Sequence, residues 1–229
     1  MPGAAVIRFR KIEPRFLDGI GPAEVKVIMS AARERRYLAN SVITNQGHPA
    51  EHCFLLASGR ARYFYLTRDG RKVILRWIIP GEMFAPAALL ASSSEYLVST
   101  EAIKNSAVLV WNRDVIRSLI ARYPQLIDNT LSMMFQYLLF YRDAHLSQVY
   151  DRAPQRLAHV LANLTSSIGK RVAGGIELDV RNDELATEAN VTTFTVSRLL
   201  SSWQRKGILT KSRAKVVLSS TERLLRESD

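Results

Sequence analysis

Residues 182–207, NDELATEANVTTFTVSRLLSSWQRKG, spell two short helices around a sharp turn. Asn182 is the expected N-cap of the first helix, and Asp183 and Glu184 place negative charge in its first turn, where the helix dipole favours it. Leu185, Ala186 and Ala189 give that helix a small apolar face. Asn190 falls where the chain must turn, and asparagine tolerates left-handed backbone better than other non-glycine residues. Thr192 is placed to cap a second helix, and Gly207 to end it. On that second helix Val196, Leu199, Leu200 and Trp203 share one face, while Phe194, Ser197, Arg198, Ser201 and Arg205 lie opposite. A short helix, a tight turn and a second helix with a polar, basic outer face describe a helix-turn-helix.

No acidic residue occurs from Thr192 to Thr221, whereas Arg198, Arg205, Lys206, Lys211, Arg213 and Lys215 all do. Neutralising DNA phosphates requires such a stretch, so double-stranded DNA is the expected partner. Arg198 faces outward near the front of the helix and is the expected guanine contact. Thr193 and Ser197 are suited to phosphate or base edges, and Phe194 either to a thymine methyl or sugar or to a neighbouring loop. Ser201 and Arg205 complete the outer face. Ile208-Leu209 and Val216–Leu218 flank Lys211 to Ala214, which reads as a β-hairpin wing whose Lys211 and Arg213 grip the backbone, or else as a solvated turn.

Upstream, residues 22–36 suit a short helix with Pro22 in its first turn. From Ser41 to Trp111 the pattern becomes short apolar runs between turn residues: Phe54–Leu56 stopping at Ser58-Gly59, Arg62–Leu66 stopping at Arg68-Asp69-Gly70, Val73–Ile79 stopping at Pro80-Gly81, and Val108–Trp111. These predict an all-β barrel or sandwich with Met83, Val98, Leu109 and Trp111 in its core. Residues 113–122 predict a helix, and 125–150 a long one with no Pro or Gly. Along the long helix Leu131, Leu138 and His145 recur every seven residues, with Ile127, Met134, Tyr141 and Gln148 at the complementary heptad positions. That reads as a coiled-coil seam for a second copy of the chain, or else as a single core helix buried all round. Phe135, Leu139 and Leu146 form another stripe, expected to pack on the chain's own β-domain. Residues 151–154 read as a hinge, 155–168 as a helix, and Gly174-Gly175 as a break.

The 229 residues are comfortable for two small domains. A formal charge of +11, from 32 Lys and Arg against 21 Asp and Glu, favours a polyanionic partner, or else a generally basic surface that only aids solubility. Cys53, the single cysteine, excludes an internal disulfide, a four-cysteine zinc site and an iron–sulfur cluster. Met1–Arg10 has no signal-peptide core, and no apolar run approaches the roughly 20 residues of a membrane span, so a cytoplasmic location is expected. His48, His52 and Cys53 are close in sequence, but strand geometry sends His52 and Cys53 to opposite faces, so no metal site is expected and Cys53 reads as a buried hydrophobe. His145 on the seam could respond to pH or serve as a plain polar contact. No nucleophile–base, zincin, phosphate-loop or paired-carboxylate arrangement is present, and no catalytic residue is expected.

Nearly the whole chain resembles the superfamily of the cyclic-AMP receptor protein and the fumarate–nitrate regulator (CRP/FNR). The resemblance rests on Gly47, Gly59-Arg60, Asp69-Gly70, Pro80-Gly81-Glu82, Gln155-Arg156-Leu157-Ala158, Glu184-Leu185-Ala186 and Val196-Ser197-Arg198-Leu199-Leu200. It implies a two-domain α+β chain: an N-terminal β-roll (jelly roll) of the cyclic-nucleotide-binding type, a long dimerisation helix, and a C-terminal winged helix-turn-helix. The expected boundaries are 1–124 for the roll with its flanking helices, 125–150 for the dimerisation helix and 151–229 for the DNA-binding domain. It further implies a homodimer on palindromic promoter DNA, with RNA polymerase as the usual protein partner. Family members that bind nucleotide carry a Gly-Glu pair after the Pro-Gly-Glu turn, then an Arg-Ser pair, and offer Thr-Ser from the long helix. Here those positions hold Ala85-Pro86, Tyr96-Leu97 and Phe140-Tyr141. The family's Arg-Glu pair in the recognition helix is Thr193-Phe194, with only Arg198 retained. The resemblance therefore implies a regulator with an altered half-site and no cyclic AMP binding in the family manner; no cofactor is identified, and an apolar or aromatic effector, or none, remains open. The alternative is a small-molecule sensor module with a vestigial DNA-binding domain.

Overall fold

A computed structural model describes residues 14–90, 92 and 94–228, so the expectation placed on Met1–Arg10 lies outside the described residues. Contacts group into two compact units, 1–137 and 138–229, dividing between Tyr137 and Leu138.

The first unit holds α1 (Pro22–Ser30), β1 (Arg33–Tyr37), β2 (Val42–Thr44), β3 (His52–Leu66), β4 (Lys72–Ile78), β5 (Met83–Phe84), β6 (Ser99–Asn112), α2 (Arg113–Arg122) and the first half of α3 (Gln125–Tyr150). The strands form one antiparallel sheet, ordered β1-β6-β3-β4, with β2 also on β6 and β5 on β3. Alternation along β3 and β6 divides the core in two. Cys53, Leu55, Leu109 and Trp111 face a layer with Phe16, Ile28, Ile116, Leu126 and Met133. Phe54, Leu56, Val108 and Val110 face the roll interior with Tyr63, Phe84 and Tyr96. Burial on both faces is why these strands read as continuous apolar runs. Trp111 is fully buried, and its indole N–H donates to the Ile28 carbonyl at 2.8 Å. Val98 is partly buried against the interior cluster.

Three sequence readings are corrected here. The helix expected over 22–36 stops at Ser30, and Arg33–Tyr37 is a strand paired with β6 from Arg33↔Val110 to Tyr37↔Ser106. Arg and Glu are good helix formers, but the sheet edge supplies partners that outweigh propensity. The strand expected to stop at Ser58-Gly59 runs on to Leu66, and register shifts around Ser58 and Arg60 kink it instead. Gly59 sits at φ +91°, where a Cβ would collide with the Asn105 carbonyl and Ser106, so only glycine fits this bulge. The last strand, expected over 108–111, begins at Ser99. The Asp69-Gly70 hairpin stands as read, with Leu66 opposite Lys72.

Helix α3 covers 125–150 as read. It is buried through Leu126, Asn129, Thr130 and Met133 rather than through Phe135, Leu139 and Leu146; Phe135 is 58% exposed. The anchor is polar: the Asn129 amide donates to the carbonyls of Phe16 and Asp18 at 3.0 and 2.8 Å. A search for apolar periodicity passes over such a face.

The second unit carries the rest of α3, α4 (Ala153–Ser167), β7 (Lys170–Val172), β8 (Gly175–Asp179), α5 (Asn182–Glu188), α6 (Thr193–Arg205), β9 (Leu209–Ser212), β10 (Lys215–Leu218) and α7 (Thr221–Ser228). The wing is part of a four-stranded antiparallel sheet, β7-β8-β10-β9. The β7–β8 hairpin, turning at Ala173-Gly174, is thus tied to the wing rather than being a mere break. Among the described residues no helix is long and apolar enough to cross a membrane.

Candidate nucleic-acid interface and sensor pocket

Helix α5 is capped one residue earlier than expected. Arg181 holds the extended cap geometry, and its backbone N–H donates to the Glu184 carboxylate at 2.8 Å. Asn182 is the first helical residue, because the reaching carboxylate three positions on selects residue 181. Leu185, Ala186 and Ala189 are buried, and Asn190 takes φ +50°, the left-handed turn expected of it. Thr192 caps α6 by accepting from the Thr195 N–H at 3.1 Å. Thr192→Ala is expected to cost about 1 kcal/mol of unfolding stability; an unchanged denaturation midpoint would show that the cap contributes nothing.

Val196, Leu200 and Trp203 bury the inner face of α6, with Leu199 partly buried. Thr193, Phe194, Arg198 and Arg205 are exposed outside, and Ser197 and Ser201 are partly buried between the faces. Phe194 packs against no loop; it is 76% exposed. The hydroxyl of Ser201 donates to the Ser197 carbonyl at 2.8 Å and accepts from the Lys211 ammonium at 2.7 Å. Ser201 therefore fastens the wing strand β9 to α6. Arg213 stands exposed at the wing tip beside Ala214, which takes φ +58°.

Two of the six bases are answered by acids from outside the stretch: Lys206 pairs with Glu227, and Lys215 with Glu177 at 3.0 Å. Arg198, Arg205 and Arg213 have no carboxylate partner among the described residues, which leaves their charges available to a polyanion. Sequence reading missed Arg156. Its guanidinium donates to the carbonyls of Asp151 (2.8 Å), Ala189 (2.9 Å) and Asn190 (3.2 Å). One side chain thus ties the expected hinge to the turn of the helix-turn-helix; its only sequence signal lay in the Gln155–Ala158 motif.

On the expected seam, Leu131 (61% exposed), Leu138 (64%), Tyr141 and His145 are open to solvent in the single chain, and Ile127 and Met134 are partly buried. Phe135, Leu146 and Val149 extend the exposed apolar strip.

In the roll, the positions to which the resemblance assigns nucleotide contacts include Ala85, Tyr96 and Leu97. Ala85 takes φ +56°, and its N–H donates to the Tyr63 hydroxyl at 3.1 Å. The Tyr96 hydroxyl accepts from the His52 N–H at 3.1 Å and donates to the His52 carbonyl at 3.0 Å, while Leu97 is 83% exposed. Arg76 stacks on Tyr137, 4.1 Å from its ring centroid, and pairs with Glu82. This donor set does not fit a cyclic phosphodiester, since a tyrosine with both hydrogen-bonding roles engaged stands where a phosphate-binding arginine is required. Cys53 is fully buried, and burial pushes its thiol pKa well up. The chain defines a class: a β-roll sensor unit followed by a winged helix-turn-helix.

Known proteins agree. Residues 34–123 match the cyclic nucleotide-binding domain and residues 155–227 the Crp-like helix-turn-helix domain, together the greater part of the chain. The cyclic AMP receptor protein of Thermus thermophilus is 29% identical over 202 residues, covering 87% of this chain and 89% of that protein. A CRP-like cAMP-activated global transcriptional regulator of Mycobacterium tuberculosis is 21% identical over 93% of this chain and 96% of its own length. The structure of FixK2 from Bradyrhizobium japonicum superposes with a TM-score of 0.75 at 25% identity, over 85% of this chain and 96% of FixK2. The chain belongs to the CRP/FNR family of DNA-binding transcription regulators.

Proposed function

We propose that this regulator acts as a homodimer on palindromic promoter sites, and that it is not controlled by cyclic AMP. The observation that carries the DNA reading is the joint between Lys211 and Ser201, which sets the wing beside a helix whose outer arginines are unpaired. A vestigial domain has no reason to retain that joint, a satisfied N-cap and a bare basic face together. In this reading Arg198 reads a base, Thr193, Phe194 and Ser197 meet base edges or sugars, and Arg205, Lys211 and Arg213 hold phosphates. Ser201 contributes by positioning Lys211. The exposed strip of Ile127, Leu131, Met134, Leu138, Tyr141 and His145 is covered by a second copy, which doubles the reading helices. RNA polymerase is the expected protein partner, as for the family at large.

Selection of bound sequences from random DNA tests this. Enrichment of inverted repeats with half-sites about 34 Å apart is expected; single half-sites or no enrichment would overturn it.

Two of the relatives above carry cyclic AMP in their names. Here Ala85 and Tyr96 stand at positions where the resemblance expects nucleotide-binding side chains, so titration calorimetry with cyclic AMP is expected to give no complex tighter than about 100 μM. A tighter complex refutes the reading.

A further inference from the structure

Phe54 and Tyr96 of the interior cluster also border a free volume. A cavity of about 270 Å³ opens between β1, β2, the 45–51 loop and β3, with Arg35, His48, His52, Phe54 and Tyr96 among its lining. Arg35 reaches it because β1 places that residue opposite Val108, whose side chain is buried in the interior cluster. His52 shares the interior face of β3 with Phe54, its ring 6.2 Å from that phenyl. Tyr96, with both hydrogen-bonding roles taken by the His52 backbone, closes the floor. We propose that this cavity is a binding site for a small monocarboxylate, its anionic end on Arg35, His48 and His52 and its body on Phe54 and Tyr96. This names an effector class for the regulator argued above and rests on that reading.

Charge selects the class. Arg35 is a permanent cation with no carboxylate partner among the described residues, and Glu51 is the single acid in the lining. Burial first, then the Arg35 charge, lower the His52 pKa, against a smaller upward pull from Glu51 and a hydrogen bond to Asn112. At neutral pH the site therefore offers one guanidinium and an uncharged His52 imidazole, which suits one negative charge rather than two. Guanidinium–carboxylate bonds are charge-assisted and bidentate. The volume lies just below the usual range for ligand pockets, about 300–1,000 Å³, so the body must be small. A bound carboxylate favours protonated His52, and because the free imidazole pKa is lowered from 6.5, affinity should rise as pH falls below that value.

Titration calorimetry of the full chain with sodium benzoate, benzamide and inorganic phosphate tests the site. Benzoate is expected to bind with a Kd of about 1 mM or tighter, and benzamide at least about tenfold more weakly. Arg35→Gln, on an exposed edge position, should lose at least about tenfold for benzoate with an unchanged melting temperature, and His48→Gln should lose a smaller factor. Benzoate binding no tighter than benzamide, indifference to Arg35→Gln, or tighter binding of phosphate would each overturn the proposal. Operator binding by the same preparations is read separately: if it persists while benzoate fails, only the pocket falls, and if it fails while benzoate binds, only the regulator reading falls.

Discussion

Leu138→Glu is expected to yield a folded monomer that has lost its operator. Leu138 is 64% exposed in the single chain, so glutamate there leaves the intramolecular core untouched. In the proposed dimer the substitution faces its own copy across the two-fold axis, and two carboxylates are driven into an apolar seam. Removing an unpaired charge from water costs several kcal/mol, and here both subunits carry it. Linking two half-site contacts raises affinity by about 10²–10⁴, so its loss should weaken operator binding by about that factor. Light scattering should report a monomer, with circular dichroism unchanged. A stable dimer at micromolar concentration would sink the seam assignment and send the exposed Leu131–Val149 strip to another role.

Arg198→Ala is expected to weaken binding to the selected site by about 1–3 kcal/mol and to relax preference at one base pair. Arg198 is exposed on α6 with no carboxylate partner among the described residues, so its fork is free to pair with a guanine edge. Truncation should leave stability nearly unchanged, because the inner face of α6 is held by Val196, Leu200 and Trp203. Arg205 and Arg213 are expected to behave differently: alanine there weakens all sequences alike and lowers the salt slope. If Arg198→Ala also weakens every sequence equally, Arg198 is a phosphate contact and another outer-face residue is the reader.

Features written in neighbouring residues were the legible ones. The helix over 125–150, the left-handed turn at Asn190, the Thr192 cap and the Asp69-Gly70 hairpin each follow from local periodicity or turn chemistry. Even within that range, a cap could slip by one residue when a carboxylate further on chose a different backbone N–H, as Glu184 chose Arg181. Arg33–Tyr37 was misread because a charged, helix-prone segment became an edge strand only by meeting β6, more than 65 residues away. Gly59 was misread because a stop and a bulge look alike until the opposite strand is present.

By itself, the sequence determined that residues 182–207 form a helix-turn-helix whose second helix has an acid-free basic outer face, that β-structure precedes a long helix, and which family the pattern resembles. Each depends on residues within a few turns of one another, where backbone geometry alone fixes which side chains share a face. Only the tertiary structure decided which charges remain available. It paired Lys206 with Glu227 and Lys215 with Glu177, joined Lys211 to Ser201, and left Arg198, Arg205 and Arg213 without carboxylate partners among the described residues. It also tied the Tyr96 hydroxyl to the His52 backbone N–H and carbonyl. Those outcomes depend on contacts across tens of residues, where a distance of 3 Å and one of 10 Å differ by most of the interaction energy and leave no trace in local pattern.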